Sequence, residues 1–242
     1  MLPLARASHP SAPRSTEVVA SWPPTATTRA IRVRKPEGFQ FRPTQFTFLG
    51  LMTAEGPDWR PMSLATSPTR EHLEYGVRTS LSPFKRAFEH LAPGDPVWVR
   101  GPFGEFVLDG DHPAVLVAGG IGITPLKGMA EYAADAKLTI PVRLLYSNRT
   151  EREIAYRGEL DELARMNPRF RVLYTLTRGP FDGWDGPTGR IDASLLSHGA
   201  EGLERPKYYV CGTPEFVREM TGLLVRSGVP EADLEYELFR GY

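Results

Sequence analysis

Two rhythms divide the chain. Up to about residue 112, apolar residues come in short runs rich in β-branched and aromatic side chains. These are Val18-Val19-Ala20, Ala30-Ile31-Arg32-Val33, Phe46-Thr47-Phe48-Leu49, Leu73-Glu74-Tyr75-Gly76-Val77 and Pro96-Val97-Trp98-Val99. Pro, Gly and Asp separate them at the spacing of an antiparallel barrel or sandwich. One helix is predicted among them, over 82–91, opened by Ser82 and Pro83 and stopped by Pro93-Gly94-Asp95. From about 113 the pattern alternates. Strands are predicted at 115–118, 142–146, 171–176 and 208–211, and helices near 125–136, 158–165, 192–197 and 214–227. Strand–helix alternation predicts a doubly wound parallel α/β sheet. The change falls at 109–113, a Gly/Asp/His/Pro linker, and 242 residues suit two domains. The division is a β-barrel over 16–111 and an α/β domain over 112–242. Residues 1–15, rich in Pro, Ser and Ala, read as a disordered tail.

Composition narrows the function. Formal net charge is zero, which gives no reason to expect nucleic acid or anionic lipid as a partner. The single cysteine, Cys211, allows no disulfide within the chain and no iron–sulfur or zinc thiolate cluster. The five histidines match no metal-ligand spacing. No apolar run approaches the roughly 20 residues of a membrane span, and the N-terminus lacks the apolar core of a secretory signal. A soluble, cytoplasmic protein is the expectation; oligomeric state stays open.

The most informative segment is Ala114-Val115-Leu116-Val117-Ala118-Gly119-Gly120-Ile121-Gly122-Ile123-Thr124-Pro125. An apolar strand runs into a glycine turn and then a helix. Bare glycines let backbone approach phosphate oxygens, and the helix start aims unpaired N–H groups at them. This segment resembles the GGxGxTP turn of the ferredoxin–NADP(+) reductase family, where the nicotinamide cofactor lies. Three further segments resemble that family in its own order. Arg60-Pro61-Met62-Ser63 resembles its flavin motif, Arg-x-Tyr-Ser. Val77-Arg78-Thr79-Ser80-Leu81-Ser82-Pro83 resembles its second phosphate site, followed by the Gly101-Pro102-Phe103-Gly104 turn. Cys211-Gly212-Thr213-Pro214 and the ending Glu237-Leu238-Phe239-Arg240-Gly241-Tyr242 resemble its C-terminal features. Read without the family, the same segments are an edge strand, a helix cap, a buried thiol and a frayed terminus.

The resemblance spans about residues 16–242 and implies a flavoprotein reductase, with FAD on the barrel and NADPH on the α/β domain. It assigns Arg60 to the flavin phosphates, Pro61 and Met62 to the flavin's surroundings, and Ser63 to the flavin N(5). Arg78, Ser80 and Ser82 fall to the second phosphate site. Gly119, Gly120, Gly122, Thr124 and Pro125 cradle the dinucleotide, and Cys211 and Gly212 flank the nicotinamide. Tyr242 is a gate over the flavin, and Glu237 supplies a nearby carboxylate. Two departures stand out. Met62 replaces an aromatic residue; a thioether still lies against a ring face, less rigidly. Thr44 replaces glycine in Arg42-Pro43-Thr44-Gln45-Phe46 and enters positive φ less cheaply, which predicts a locally different turn.

Arg149, Arg178 and Arg190 give the dinucleotide site a cationic edge where an NADH site typically has an acidic residue. NADPH is the expected cofactor, with NADH the other option. A ferredoxin or flavodoxin is the expected acceptor, since the chain lacks an iron–sulfur centre. Lys85, Arg86 and Arg100 are guesses for its docking face. Two other readings stand beside this one: a flavin or ferric-chelate reductase using flavin as substrate, and a non-catalytic reductase-like subunit.

Overall fold

The computed structural model describes residues 12–239. Its first half holds β1 (Arg14–Thr25), β2 (Thr28–Arg34), β3 (Phe46–Thr53), β4 (Gly56–Ser63), β5 (His72–Arg78), α1 (Pro83–His90) and β6 (Pro96–Phe103). The strands form one antiparallel sheet in the order β4-β3-β6-β1-β2-β5. Alternate residues point inward: Ile31 and Val33, Leu49 and Leu51, Tyr75 and Val77, and Val97 and Val99 build one buried cluster. Phe84 and Phe88, one helical turn apart on α1, complete it. The sheet curls until its edges nearly meet. Just past β4, the Ala65 N–H donates to the Glu74 carbonyl on β5 at 2.9 Å.

The second half holds β7 (Ala114–Gly119), α2 (Ile123–Asp135), β8 (Val142–Asn148), α3 (Arg157–Met166), β9 (Phe170–Leu176), α4 (Ala193–Gly199), β10 (Lys207–Gly212), α5 (Pro214–Arg226) and β11 (Leu234–Leu238). All five strands are parallel, in the order β11-β10-β7-β8-β9. The central strand shows why β7 is continuously apolar. Leu116 and Ala118 face a cluster with Leu126, Met129 and Leu160 of α2 and α3, while Val115 and Val117 face Leu196, Val217 and Met220 of α4 and α5. Both faces are covered. The chain leaves β7 toward β8 on one side and returns to β10 on the other, so the crevice for a ligand opens at the end of β7.

The Arg60–Ser63 segment lies on an edge strand, β4, whose Pro57 and Pro61 are tolerated at that position. Three expectations are corrected. β11 is a strand beside β10, although its residues read as a tail. The disordered tail does not extend to residue 15: Arg14 and Ser15 pair with Val99 and Trp98. The rest of that segment, 1–11, lies outside the described residues. The Thr44 turn keeps a left-handed residue, with φ +76°. Its buried hydroxyl donates to the Phe106 carbonyl, which offsets part of the strain.

Candidate functional site

The two halves meet at a cleft of about 280 Å³. The barrel side contributes Phe46, Pro61, Met62, Ser63 and Gly76; the α/β side contributes Thr124, Glu237, Leu238 and Phe239. This is near the lower end of small-molecule site volumes, roughly 300–1,000 Å³, and suits a ring system rather than a whole dinucleotide. Each wall follows from local structure. β4 ends at Ser63, and the next residue, Leu64, is buried in the barrel core with its N–H donating to the Gln45 carbonyl at 3.1 Å. β11 pairs with β10 in the register Cys211–Glu237, which places Glu237 opposite the barrel.

Ser63 and Glu237, which are 174 residues apart, meet here. The Ser63 hydroxyl donates to Glu237 Oε2 at 2.9 Å. Burial pushes the Glu237 carboxyl up to about 7, and the Ser63 hydrogen bond holds it back from going higher. Glycine at 76 leaves space: a Cβ there would overlap the Tyr156 hydroxyl and lie 3.0 Å from Thr124 Cγ2. That hydroxyl is buried and has no hydrogen-bond partner among the described residues. An apolar wall and the Ser63–Glu237 hydroxyl–carboxyl pair fit a planar heteroaromatic ring with polar edges, such as a flavin.

The glycine turn lies beside this cleft. Gly120 takes φ +53°, open to a side chain only at the cost of strain. A Cβ at Gly122 would overlap the Cys211 carbonyl, so glycine is required for the turn to pass β10. Thr124 is buried, its hydroxyl bonded to the Ile121 carbonyl at 3.1 Å, and Pro125 is buried in the first turn of α2. The Phe216 ring caps Gly119 and Gly212; a Cβ on either would lie within 2.8 Å of it.

Other predicted residues are placed less directly. Arg60 is exposed on β4 and paired with Asp58 at 2.8 Å. Arg78 lies 3.5 Å from Glu153, so it bridges the two halves. Ser80 is exposed, and Ser82 caps α1 by accepting from the Lys85 N–H at 3.3 Å. Arg149 and Arg178 are exposed neighbours at the carboxyl ends of β8 and β9; the Arg178 N–H donates to the Arg149 carbonyl at 2.8 Å. Arg190 does not join them as a free cation but pairs with Glu219 on α5 at 3.0 Å. The Cys211 thiol is fully buried among the apolar residues beneath α2 and is not part of the cleft lining. Lys85 is buried, so it cannot serve an exposed docking face; Arg86 and Arg100 are exposed, Arg100 lying over Phe48 and Phe103. Tyr242 lies outside the described residues.

Sequence reasoning missed Lys127. It is fully buried where α2 meets the barrel. Its ammonium contacts Glu74 of β5 at 3.0 Å, Glu131 at 2.6 Å and Glu159 at 3.0 Å, and donates to the Ala65 carbonyl at 3.1 Å. Burial alone would lower its pKa, but the three carboxylates outweigh it and raise the value. Arg32 gives Glu74 a second partner at 2.8 Å. A lysine two residues after the TP pair was a signal, but its partner is 53 positions away.

No helix among the described residues is long and apolar enough to cross a membrane. The model for an oxidoreductase NAD-binding domain matches residues 116–221. Ferredoxin--NADP reductase B of Sorangium cellulosum is 30% identical over 240 residues, covering 94% of this chain and 98% of that protein. NADH-cytochrome b5 reductase 2 of Mycosarcoma maydis is 31% identical over 182 residues, 72% of this chain; the match spans about half (52%) of that relative's length. A solved cytochrome P450 reductase from Amycolatopsis superposes with a TM-score of 0.81 at 26% identity, covering 97% of this chain and 72% of that one. The architecture, the glycine turn and a relative matched from end to end agree: this chain belongs to the ferredoxin–NADP reductase family.

Proposed function

We propose that the protein is a flavoprotein reductase that takes electrons from NADPH through FAD and passes them to a separate one-electron carrier. The observation that carries this reading is the cleft itself. The flavin-motif residues Met62 and Ser63 and the dinucleotide-turn residue Thr124 line one space. A bound flavin supplies two-electron acceptance from the nicotinamide and one-electron release to the carrier.

The chain's part in this reading is orientation. Met62 and Phe46 offer apolar surface to a ring, and Ser63 offers a hydroxyl at its polar edge. Arg60 would release Asp58 to fork onto the diphosphate. Gly119, Gly120 and Gly122 would leave room for the nicotinamide dinucleotide, with the N–H groups at the start of α2 aimed at its phosphates. Glu237, titrating near neutral pH, can hold or release a proton at the cleft wall beside Ser63 Oγ. Cys211 would act from behind, through its backbone against Gly122. Tyr242 keeps the role of gate. The 2′-phosphate of NADPH would lie against Arg149 and Arg178, since β8 ends in Asn148 with no acidic side chain there. Ferredoxin and flavodoxin are the carriers that fit this one-electron exchange.

The engagement of Arg60 with Asp58 and the thioether at Met62 favour a second reading, in which flavin is bound loosely as a substrate. One experiment addresses both. Purified protein is mixed anaerobically with NADPH or NADH and flavin bleaching is followed near 450 nm (roughly, for a flavin). Rapid bleaching of a co-purified flavin, faster with NADPH, is the expected result. Protein without flavin, reducing only added flavin, selects the second reading. A bound flavin that neither nucleotide bleaches overturns both.

A further inference from the structure

α2 carries two duties on one helix. Its first turn follows the dinucleotide glycines and brings Thr124 to the cleft. One stripe farther along, Lys127, Gly128 and Glu131, lies against the barrel segment that follows Ser63. Lys127 donates to the Ala65 carbonyl at 3.1 Å. Gly128 lets the helix approach so closely that a Cβ would lie 3.0 Å from the Leu64 and Thr66 carbonyls. Glu131 accepts from the Ser67 N–H at 3.0 Å. Asp135, one turn on, holds Thr69 at 2.6 Å and Arg70 at 2.8 Å. On the barrel, Lys127 also takes Glu74, two residues before the cleft glycine Gly76. It therefore grips both ends of the junction where β4 and β5 close the barrel, directly behind the cleft.

Building on the proposed reductase function, we infer that Lys127 is a positioning residue: its buried ammonium fixes α2 on the barrel and so sets the spacing between the Ser63 wall and the Thr124 wall. A buried ion pair adds little net stability over apolar packing of the same shape. What it contributes is one permitted arrangement, because a shift of α2 along the barrel breaks the Lys127 contacts to Glu74 and the Ala65 carbonyl and takes Glu131 away from the Ser67 N–H. Transfer between stacked rings is sensitive to such shifts; an error of about 1 Å costs on the order of a hundredfold in rate.

The test uses the full chain with Lys127→Met combined with Glu131→Gln. Glu74 then keeps Arg32, the new amide at position 131 still accepts from the Ser67 N–H, and no buried charge is left alone. Spin labels at Met52→Cys and Met166→Cys, exposed on β3 and α3, report the separation of the two halves; buried Cys211 stays unlabelled. The expected result is an interdomain distance distribution at least about twice as wide. With it, flavin reduction at saturating nucleotide slows about tenfold or more, while half-saturation changes by less than about threefold. An unchanged width overturns the proposal, and so does a broadened distribution with an unchanged rate. If the double variant does not fold, Glu131→Gln alone carries both readouts, with about a threefold slowing expected. If the parent bleaches with neither nucleotide, the reductase reading falls and the width alone judges the clamp.

Discussion

Replacing Glu237 by glutamine isolates the electrostatics of the cleft. In the folded protein the carboxyl titrates at about 7 against an ordinary 4.5, because burial disfavours its charge more than Ser63 compensates. Between these two values the folded state binds more protons than the unfolded one, so stability falls as pH rises. The contribution is whole below about pH 4.5 and lost above about pH 7. At about 1.4 kcal/mol per tenfold, the loss is about 3 kcal/mol, or some 6–12 °C in Tm for a chain of this size. His72 acts with the opposite sign. Burial and the nearby Arg32 lower it to about 4, so its effect is to make stability rise with pH up to its ordinary 6.5. The parent's profile therefore mixes two slopes, and the difference between parent and Glu237→Gln is the informative curve. The substituted amide can still accept from Ser63 but carries no charge. The assay is thermal and urea unfolding of both flavin-free proteins from pH 4.5 to 8.5. The variant should gain about 3 kcal/mol on the parent between pH 5 and pH 8. Parallel curves would refute the reasoning, since Glu237 would then be solvated like any surface carboxylate.

Other outcomes follow from single residues. Arg178→Ala should raise the KM for NADPH by roughly ten- to a hundredfold, the worth of one charge-assisted contact, and change that for NADH by less than about threefold; equal losses for both would remove Arg178 from phosphate recognition. Gly122→Ala should cost about 1–3 kcal/mol by overlap with the Cys211 carbonyl and weaken dinucleotide binding, read by Tm and titration. Thr44→Ala keeps the positive φ but loses the bond to Phe106, so it should cost about 1–2 kcal/mol, with Thr44→Gly less harmful.

The glycine turn was legible because its chemistry is local: each glycine answers to a neighbour or a dihedral angle within one strand–helix joint. The apolar strand β7 was legible for a similar reason, since a strand buried on both faces must be apolar throughout. β4 was legible around Arg60 as an edge strand, but Pro57 and Pro61 blurred its extent, because their tolerance depends on edge position, a fact of sheet order. β11 was hidden by its charges, Glu235 and Glu237, because only pairing with β10 shows that one of them is turned into a cleft. Lys127 was the largest omission. On an amphipathic helix a lysine ordinarily marks the wet face, and nothing local says that α2 is buried from both sides. The site's halves could be named from motifs, but the Ser63–Glu237 contact depends on how two folded units meet.

The Lys127 network has a consequence for how such proteins can be recombined. The charges that balance one another are split across the chain, Lys127, Glu131 and Glu159 on the α/β side and Glu74 and Arg32 on the barrel side. A chimaera joining this barrel to another α/β unit that lacks the lysine would inherit the barrel's carboxylate without its α/β partner, and the reciprocal chimaera an ammonium without its barrel partner. In this chain the seam is therefore complete only when residues 74 and 127 are kept together.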